Sequence, residues 1–329
     1  MPLPAESDVH VNGPLTNMSV AYIQNASNFI ASRVFPNIPV TKQSDAYYSY
    51  DRGYFNKDEA AVRAPSTESK GGGYAIDANS SYYCKVYAFH KDIDDQVRSN
   101  ADSVLQLDRE ATEYVTKKML IRKEKDWATS YFATGIWTTD IAGVSGTPTT
   151  GEAKQWNDAA STPIEDVTAG KTVVMQSTGF DPNTLVIGRE VWDQLKNHPD
   201  IIDRVKAGQT PNGPAMGLLQ SVAMIMELER ILVMQSIENT AEEGATNSHA
   251  FIGGKKALLC YSAPTPGIMT PSAGYTFSWA GMNGAGNDGM RIKRFRREAI
   301  ESDRVEGQMA FDQKLISADL GYFFNDIVA

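Results

Sequence analysis

The stretch that decides the fold is residues 100–137, NADSVLQLDREATEYVTKKMLIRKEKDWATSYFATGIW. Neither proline nor glycine occurs in it before Gly135, and Ser103 with Gln106 forms a capping-box pair. This pattern predicts one long helix that ends near the glycine. About thirty residues at 1.5 Å each would make a rod of roughly 45 Å.

The predicted helix is apolar only along a narrow stripe. Its apolar residues recur at three- and four-residue steps, and they are Val104, Leu107, Ala111, Val115, Met119 and Tyr131. Charge fills the rest of the surface: Asp108, Arg109, Glu110, Glu113, Lys117, Lys118, Arg122, Lys123, Glu124, Lys125 and Asp126. A thin seam is typical of a coiled coil or of a strut across a flat domain. Because the seam is too short for several heptads, we favour the strut.

Composition limits what this strut can belong to. The chain has 329 residues, 42% of them hydrophobic and 22% charged, which allows a real core and about two or three subdomains. The net charge of −9 argues against a protein whose main task is to bind nucleic acid, since phosphate recognition needs an excess of basic residues. The sequence has neither a signal-peptide pattern at its start nor a membrane-length apolar run, so we expect a soluble chain that is not exported through a cleaved signal.

The first forty residues read as an extended arm. Residues 1–18 have little periodicity, and Ser19–Val34 places Phe29 and Ile30 on one side of a short amphipathic helix. Such a helix has nothing of its own to pack against. It must dock either on the body of the chain or on another subunit, and both alternatives remain open.

Residues 41–94 are β-prone and rich in tyrosine. A tyrosine-rich run near Tyr47 and the segment Ser81–Phe89 flank the charged stretch Asn56–Asn79, which contains three consecutive glycines. This pattern predicts a long hairpin with a flexible tip. An isolated hairpin is marginal in water, so we expect it to lie across a neighbour, the alternative being a hairpin folded back on its own domain.

The middle of the chain predicts an α/β lobe over residues 160–285 with a core of its own. Thr162, Pro163 and Glu165 mark a helix start, and the helix should end before Gly179. Further expected helices and strands are Thr184–Gly188, Arg189–Lys196, Pro199–Ala207, Ala215–Leu228, Arg230–Ile237, Ala250–Tyr261 and Tyr275–Ala280. After the lobe come the strands Met290–Arg297, Glu306–Ser317 and Leu320–Val328, with Gly307 near a turn or bulge.

The sequence contains no complete motif that predicts catalytic chemistry. Gly170-Lys171-Thr172 lacks the upstream glycine of a phosphate-binding loop and falls in a predicted helix. The four histidines have no metal-ligand spacing, and Cys84 and Cys260 are expected to be two buried thiols rather than a disulfide. We therefore expect no catalytic residues, no cofactor and no metal. The one basic run, residues 291–297, more plausibly meets carboxylates of a neighbouring subunit than nucleic acid.

The order of these elements resembles the HK97-type major capsid proteins of tailed bacteriophages. Three stretches are similar to that family: VAYIQNASNFIASRVFPNIPV, FHKDIDDQVRSNAD and KLISADLGYFFNDIVA. The resemblance covers nearly the whole chain. It implies an α+β fold with an N-arm at 1–40, an E-loop at 41–95, a P-domain at 96–159 and 286–329, and an A-domain at 160–285.

The resemblance also implies a function. A major capsid protein assembles into hexamers and pentamers of an icosahedral shell that encloses double-stranded DNA without sequence-specific binding. The expected location is the virion, after assembly in the host cytoplasm. Implied partners are further copies of the chain, portal and scaffolding proteins and a decoration protein, with no membrane. The predicted subunit-contact residues are Phe29, Ile30, Asp58, Glu59, Arg63, Glu68, Lys70, Arg294, Arg296 and Arg297.

Two other functions are compatible with the sequence. An encapsulin-like compartment shares the fold and differs in its content, an enzyme cargo instead of genomic DNA. A metabolic enzyme with a site in the A-domain would show a deep pocket lined by ionisable groups with shifted pKa values.

Overall fold

The computed structural model describes residues 24–102, 105–208, 218–267 and 269–329. The α-helices are α1 (Ala31–Val34), α2 (Arg52–Phe55), α3 (Asp95–Asn100), α4 (Leu107–Tyr131), α5 (Pro163–Thr178), α6 (Arg189–Leu195), α7 (Pro199–Gly208) and α8 (Leu218–Ile225). The strands are β1 (Asn37–Val40), β2 (Ser44–Tyr50), β3 (Ile76–Tyr83), β4 (Lys85–Asp94), β5 (Thr139–Val144), β6 (Glu152–Lys154), β7 (Thr184–Gly188), β8 (Arg230–Met234), β9 (Ile237–Asn239), β10 (His249–Phe251), β11 (Ala257–Cys260), β12 (Gly274–Trp279), β13 (Met290–Arg297), β14 (Ser302–Leu315) and β15 (Gly321–Asn325).

Helix α4 is the predicted strut, but it is shorter than the sequence indicates. Its 25 residues span about 37 Å and lie against β14 and β4. The predicted start is wrong because Gln106 is not helical, with φ −98° and ψ 70°, so α4 begins only at Leu107, after a break that follows α3 at Ala101. This break lets Arg98 of α3 form two hydrogen bonds to Asp108 of α4, at 2.9 and 3.0 Å. Ser103 and Val104 of the predicted helix start lie outside the described residues.

The other end of α4 is closed by aromatic packing instead of glycine. Phe132 leaves the helix, and the indole nitrogen of Trp137 donates to the carbonyl of Tyr131 at 2.8 Å. Phe132 and Trp137 are both buried in the main core. The helix therefore ends four residues before Gly135, which itself adopts a φ of 77°.

A five-stranded sheet supports α4. Long strand β14 pairs antiparallel with β4 along one side and with β13 along the other, and its end pairs with β12, which β1 joins in parallel. Val115 and Met119 of α4 are buried against this sheet. The predicted turn or bulge at Gly307 is wrong, because this residue lies within β14 and leaves room for Val115.

The second sheet has six strands, in the order β6, β5, β15, β11, β7, β8. Helix α5 begins at Pro163, as predicted, and ends before Gly179, whose φ is 80°. Every residue of β7 is buried. For the helix predicted over Ala215–Leu228, the structure gives α8, and residues 209–217 lie outside the description.

The predicted division of the chain into lobes differs from the observed sheets. The C-terminal strand β15 pairs with β11 and β5, so it belongs to the six-stranded sheet although we grouped it with 286–329. Strand β12, predicted within the lobe, belongs to the five-stranded sheet. One core joins Ile30, Trp127, Leu185 and Phe323, so the lobe has no core separate from the arm and the strut. Cys84 and Cys260 are buried free thiols, as predicted.

The contact between α4 and β14 gives the first prediction. A Cβ at position 307 would overlap Cγ1 of Val115. Gly307→Ala should therefore lower the free energy of unfolding by about 1–3 kcal/mol, the usual cost of overpacking, as measured by urea denaturation.

Val115→Ala should relieve that clash, so Gly307→Ala should cost less in the Val115→Ala background than in the native chain. Gly146→Ala is the matched control, because an added Cβ there meets no atom within 4 Å. Equal costs in the two backgrounds would contradict close packing at this point.

Candidate intersubunit surfaces

The hairpin formed by β2 and β3 projects an exposed tip. Residues 56–75, all of which the structure describes, form neither helix nor strand and are almost entirely exposed. Asp58, Arg63, Glu68 and Lys70 make no ion pair with any described residue, whereas Glu59 pairs with Lys57 at 2.9 Å. The five predicted contact residues on the tip are therefore accessible to another chain.

Three aromatic rings close the neck of the hairpin. The ring centres of Tyr50, Phe55 and Tyr74 lie 5.3–6.3 Å from one another. Phe55 and Tyr74 are nevertheless 50% and 56% exposed. A half-open aromatic cluster of this kind holds the two arms together and still offers apolar surface to a partner.

A groove runs between the hairpin and the body of the chain. It encloses about 1100 Å³, and its walls include Tyr47 and Tyr50 of the hairpin and Phe180, Met269 and Tyr275 of the body. Met269 is 61% exposed. Strand β4, which we expected to continue the hairpin, leaves it at Cys84 and pairs with β14 instead, so the free hairpin is shorter than predicted.

Residues 30–35 of the N-terminal arm pack into the core of their own chain. Ile30 is 1% exposed and belongs to the main core, so its predicted role as a contact with another subunit is wrong for this residue; Phe29 is half-buried. Phe35 packs edge-on against Trp127 with ring centres 5.8 Å apart. Of the two alternatives for the arm, residues 30–35 take the intramolecular one. Residues 19–23 of the predicted helix lie outside the described residues, and within 24–34 the helical parts are a 3-10 turn, Ala26–Asn28, and α1.

Glu124 on α4 holds the arm in place. Its carboxylate accepts hydrogen bonds from the backbone N–H of Ile30 at 3.0 Å and of Ala31 at 2.8 Å, and from the Ser236 hydroxyl at 3.4 Å. The carboxylate thus satisfies the first N–H groups of α1, which no other side chain caps. Burial raises the pKa of Glu124, and the backbone hydrogen bonds oppose that rise.

Lys123 and Glu124 are both buried, contrary to the sequence-based assignment of charged residues on α4 to the surface. Lys123 is 5% exposed, its ammonium lies 5.5 Å from the ring centre of Phe311, and burial lowers its pKa. A signal for this burial exists in the sequence. Val115, Met119, Lys123 and Trp127 recur at steps of four, which extends the buried stripe through the lysine.

Two of the five basic residues of strand β13 form ion pairs within the chain. Arg296 forms a bidentate pair with Asp95 at 2.5 Å, and Arg294 lies 3.1 Å from Asp303 and 3.2 Å from Asp108. Both arginines thus have acidic partners within the chain, and the expectation that they also meet carboxylates of a neighbouring subunit stays a prediction. Both partner carboxylates Asp95 and Asp108 have a lowered pKa, for which hydrogen bonds from Arg296 and Arg98 are the main cause.

Arg297 differs from its neighbours on β13. It makes no ion pair with a described residue and its side chain is exposed. Among the three arginines predicted at a contact, Arg297 is thus the one with a charge still available for a partner.

The residues considered for catalysis have structural partners. Lys171 lies on α5, is 7% exposed and donates to the carbonyl of Glu227 at 2.8 Å, so it faces no phosphate-sized opening. His90 lies 3.9 Å from Asp92, whose carboxylate is held by Arg304 at 2.7 Å. Within the described ranges, no three potential ligands lie together as a metal cluster, and no helix is long and apolar enough to span a membrane.

In sequence, the chain is similar to phage major capsid proteins. A family model described as phage major capsid protein E matches residues 146–297. The chain is 25% identical to the major capsid protein of Burkholderia phage BcepMu, over 96% of each chain, and 26% identical to that of Pseudomonas phage JBD67, over 97% of each.

Solved structures share the fold at low sequence identity. A phage-related protein from Bordetella bronchiseptica is 20% identical with a TM-score of 0.67, over 92% of this chain and 94% of that one. The capsid of cyanophage P-SCSP1u is 12% identical with a TM-score of 0.59, over 97% and 93%. The SrpI encapsulin complex of Synechococcus elongatus is 10% identical with a TM-score of 0.55, over 95% and 93%. The chain therefore has the α+β HK97-type capsid fold that its sequence predicted.

The second prediction concerns Glu124. Glu124→Ala removes the acceptor of two backbone N–H groups and should lower the free energy of unfolding by about 1–3 kcal/mol. Glu124→Gln keeps an acceptor oxygen without the buried charge. Because the pKa of Glu124 is raised in the folded chain, the native protein loses stability as pH rises above the unfolded value of 4.5.

The stability of the Gln variant relative to the native chain should therefore increase between pH 4 and pH 8, as measured by urea denaturation at each pH. Glu113→Gln, a more exposed carboxylate on the same helix, is the control and should not show this trend. A difference that is constant or falls with pH would refute the assignment of a costly buried charge.

Proposed function

We propose that this chain is the major capsid protein of a phage head. The observation that carries this proposal is the match in both fold and sequence: the three solved structures described above cover 92–97% of the chain, and the two phage capsid relatives cover 96–97%. Its role is structural, and copies of the chain associate with one another to form the capsid shell.

The finer assignment of parts is our proposal. The hairpin and its tip serve as the E-loop, the six-stranded sheet with α5–α8 as the A-domain, and α4 with the five-stranded sheet as the P-domain. We further propose that copies assemble into hexamers and pentamers of an icosahedral shell. Portal, scaffolding and decoration proteins would join this shell during assembly in the host cytoplasm, which gives a protein of the virion.

Charge supports enclosure of DNA without specific binding. The chain carries a net charge of −9, and two of the four arginines of β13, Arg294 and Arg296, are paired with Asp95, Asp108 and Asp303. An acidic subunit limits adhesion to the packaged polyanion. We propose no enzymatic activity for the chain.

An encapsulin-like compartment is the second candidate, and the fold match to the SrpI encapsulin favours keeping it. The full-length sequence relatives are phage capsid proteins, which makes the phage head the better-supported function. Nucleic-acid and protein analysis of particles from the native source separates the two, since a head contains genomic DNA and a compartment contains a cargo enzyme.

The third prediction tests the hairpin. Replacing residues 57–73 by two glycines leaves the aromatic neck and all core contacts in place, because the removed residues are almost entirely exposed. The variant should remain folded, with a melting temperature within about 3 °C of the native chain. It should not form closed shells, because the tip no longer reaches a neighbouring subunit. Electron microscopy of the purified variant measures this outcome.

A Gly-Ser segment of the same length as residues 57–73 is the matched control for chain reach. If this control also fails to assemble, the tip contributes specific contacts; if it assembles, length alone matters. Normal particles from the shortened variant would contradict the proposed role of the hairpin.

The fourth prediction tests which surfaces meet. We propose that the unpaired tip carboxylates Asp58 and Glu68 contact Arg297 of a neighbouring copy. Arg297→Glu should raise the protein concentration needed for assembly by about tenfold, since like charges across an interface repel. Light scattering against concentration measures this effect.

Adding Asp58→Arg and Glu68→Arg to Arg297→Glu should restore assembly, because the complementary charges are then exchanged. Arg109→Glu, which reverses an exposed arginine on α4, controls for the change in net charge. The contact is excluded if the combined variant assembles no better than Arg297→Glu, or if Arg109→Glu is equally impaired.

A further inference from the structure

The side of α4 that faces away from the five-stranded sheet carries lysines that none of the contacts proposed above uses. Lys91 of β4 and Lys118 of α4 approach the same ring, that of Tyr114, with their ammonium nitrogens 5.9 and 5.4 Å from its centre. Tyr114 is 40% exposed and packs against Phe89, with ring centres 5.7 Å apart. Lys117 directly precedes Lys118 on the helix. We call Lys91, Tyr114, Lys117 and Lys118 the lysine face.

The three lysines of this face form no ion pair with any residue that the structure describes. Two neighbouring carboxylates on α4 are already paired, Glu113 with Arg109 at 3.0 Å and Asp126 with Arg122 at 2.8 Å. Glu110, one turn nearer the start of the helix, is exposed and pairs with no described residue, so it forms the acidic border of the face. The lysine face is therefore locally positive on a chain whose net charge is −9. Because salt screens charges beyond about 10 Å at 0.1 M, this local charge decides what the face attracts.

The arrangement of the lysine face favours an extended anion. Two ammonium groups that approach one exposed ring repel each other, and an anion bound between them would relieve this repulsion. The amines lie on the outer surface of a straight helix about 37 Å long, which suits a long polyanion better than a small anion that needs an enclosing pocket. Duplex DNA carries one negative charge for about every 1.7 Å of its axis and offers phosphates along its whole length.

A neighbouring copy of the chain is the weaker candidate for this surface. The unpaired carboxylates of the hairpin tip, Asp58 and Glu68, are assigned above to Arg297. Duplex DNA needs no particular carboxylate to be left over, because any stretch of it presents phosphates to the lysines.

We propose that the lysine face binds the phosphate backbone of double-stranded DNA without reading its sequence, and that this side of α4 therefore faces the interior of the shell. The proposal rests on the proposed function, which supplies the duplex. Three lysines allow about three phosphate contacts per subunit, which gives a weak interaction. A weak contact of this kind is compatible with an acidic subunit that otherwise limits adhesion to the packaged polyanion.

Fluorescence anisotropy of a labelled short duplex of mixed sequence tests the proposal, with the full-length chain kept below the concentration at which shells form. With three phosphate contacts, the affinity of the native chain should fall about fortyfold between about 50 and 200 mM salt, a slope of about −2.7 in log affinity against log salt. The combined variant Lys91→Gln, Lys117→Gln and Lys118→Gln should lose most of this slope, and Lys118→Gln alone should reduce it by about one.

The matched control removes the same charge from other surfaces. Lys42→Gln, Lys70→Gln and Lys255→Gln change three exposed lysines outside the lysine face, and together they should leave the slope unchanged. Thermal unfolding followed by circular dichroism checks that each variant is folded. The lysine-face variant should also still form shells, because its lysines make no contact that the proposed assembly uses.

The proposal is overturned if the native chain binds the duplex without this salt dependence, if the lysine-face variant keeps the native slope, or if the control variant loses as much. A lysine-face variant that needs a higher concentration to form shells but binds DNA with the native slope would place a neighbouring copy on this surface, which also overturns the proposal. A native chain that never forms shells would contradict the proposed function instead, since the slope is measured on unassembled protein.

Discussion

The structure depends on one buried carboxylate. Glu124 projects from the strut helix α4, accepts the N–H groups of Ile30 and Ala31 from the arm, and reaches Ser236 beside the six-stranded sheet. Three segments far apart in sequence meet at a single acceptor, and Glu124 itself is only 1% exposed. A buried charge is tolerated here because several donors satisfy it, and losing them would leave the carboxylate and the start of α1 unpaired.

Charge pairing also differs between the body of the subunit and its exposed hairpin. At the junction of α3, α4 and β13, arginines and aspartates pair within the chain, so Arg294 and Arg296 have little left to offer a neighbour. The hairpin has the opposite character, with an exposed tip, unpaired charges and a half-open aromatic neck. The base of the hairpin packs on its own body, where Tyr47 and Tyr82 stack on Phe277, so the surface left for another copy is that of the tip and the neck. This division fits the proposed role of a shell subunit.

Local signals explain which elements could be predicted. The start of α5 at Pro163 and its end before Gly179 were correct because proline at the first helical position and a left-handed glycine after the last one act over a few residues, although Thr162 makes no capping hydrogen bond. The length of the long helix was overestimated at both ends. At its start, the chain breaks near Ala101 and Arg98 pairs with Asp108 across the break. At its end, the helix stops at Tyr131 because Phe132 and Trp137 pack into the core. Both causes are contacts between residues whose proximity the local pattern does not encode. The exposed, charged tip was predicted from composition, whereas the placement of Ile30 in the chain's own core was not.

By itself, the sequence determined the strut, the lobe helices, the hairpin and the absence of a recognisable catalytic motif, because these follow from periodicity, caps and composition, and its resemblance to a known family implied the class of fold. Only the tertiary structure decided that β15 enters the sheet of the lobe, that Lys123 and Glu124 are buried, and that Arg294 and Arg296 of β13 pair with aspartates of the same chain. The physical reason is that strand pairing and the burial of a charge depend on tertiary contacts between segments that are distant in sequence. The free energy of each such contact depends on both segments at once.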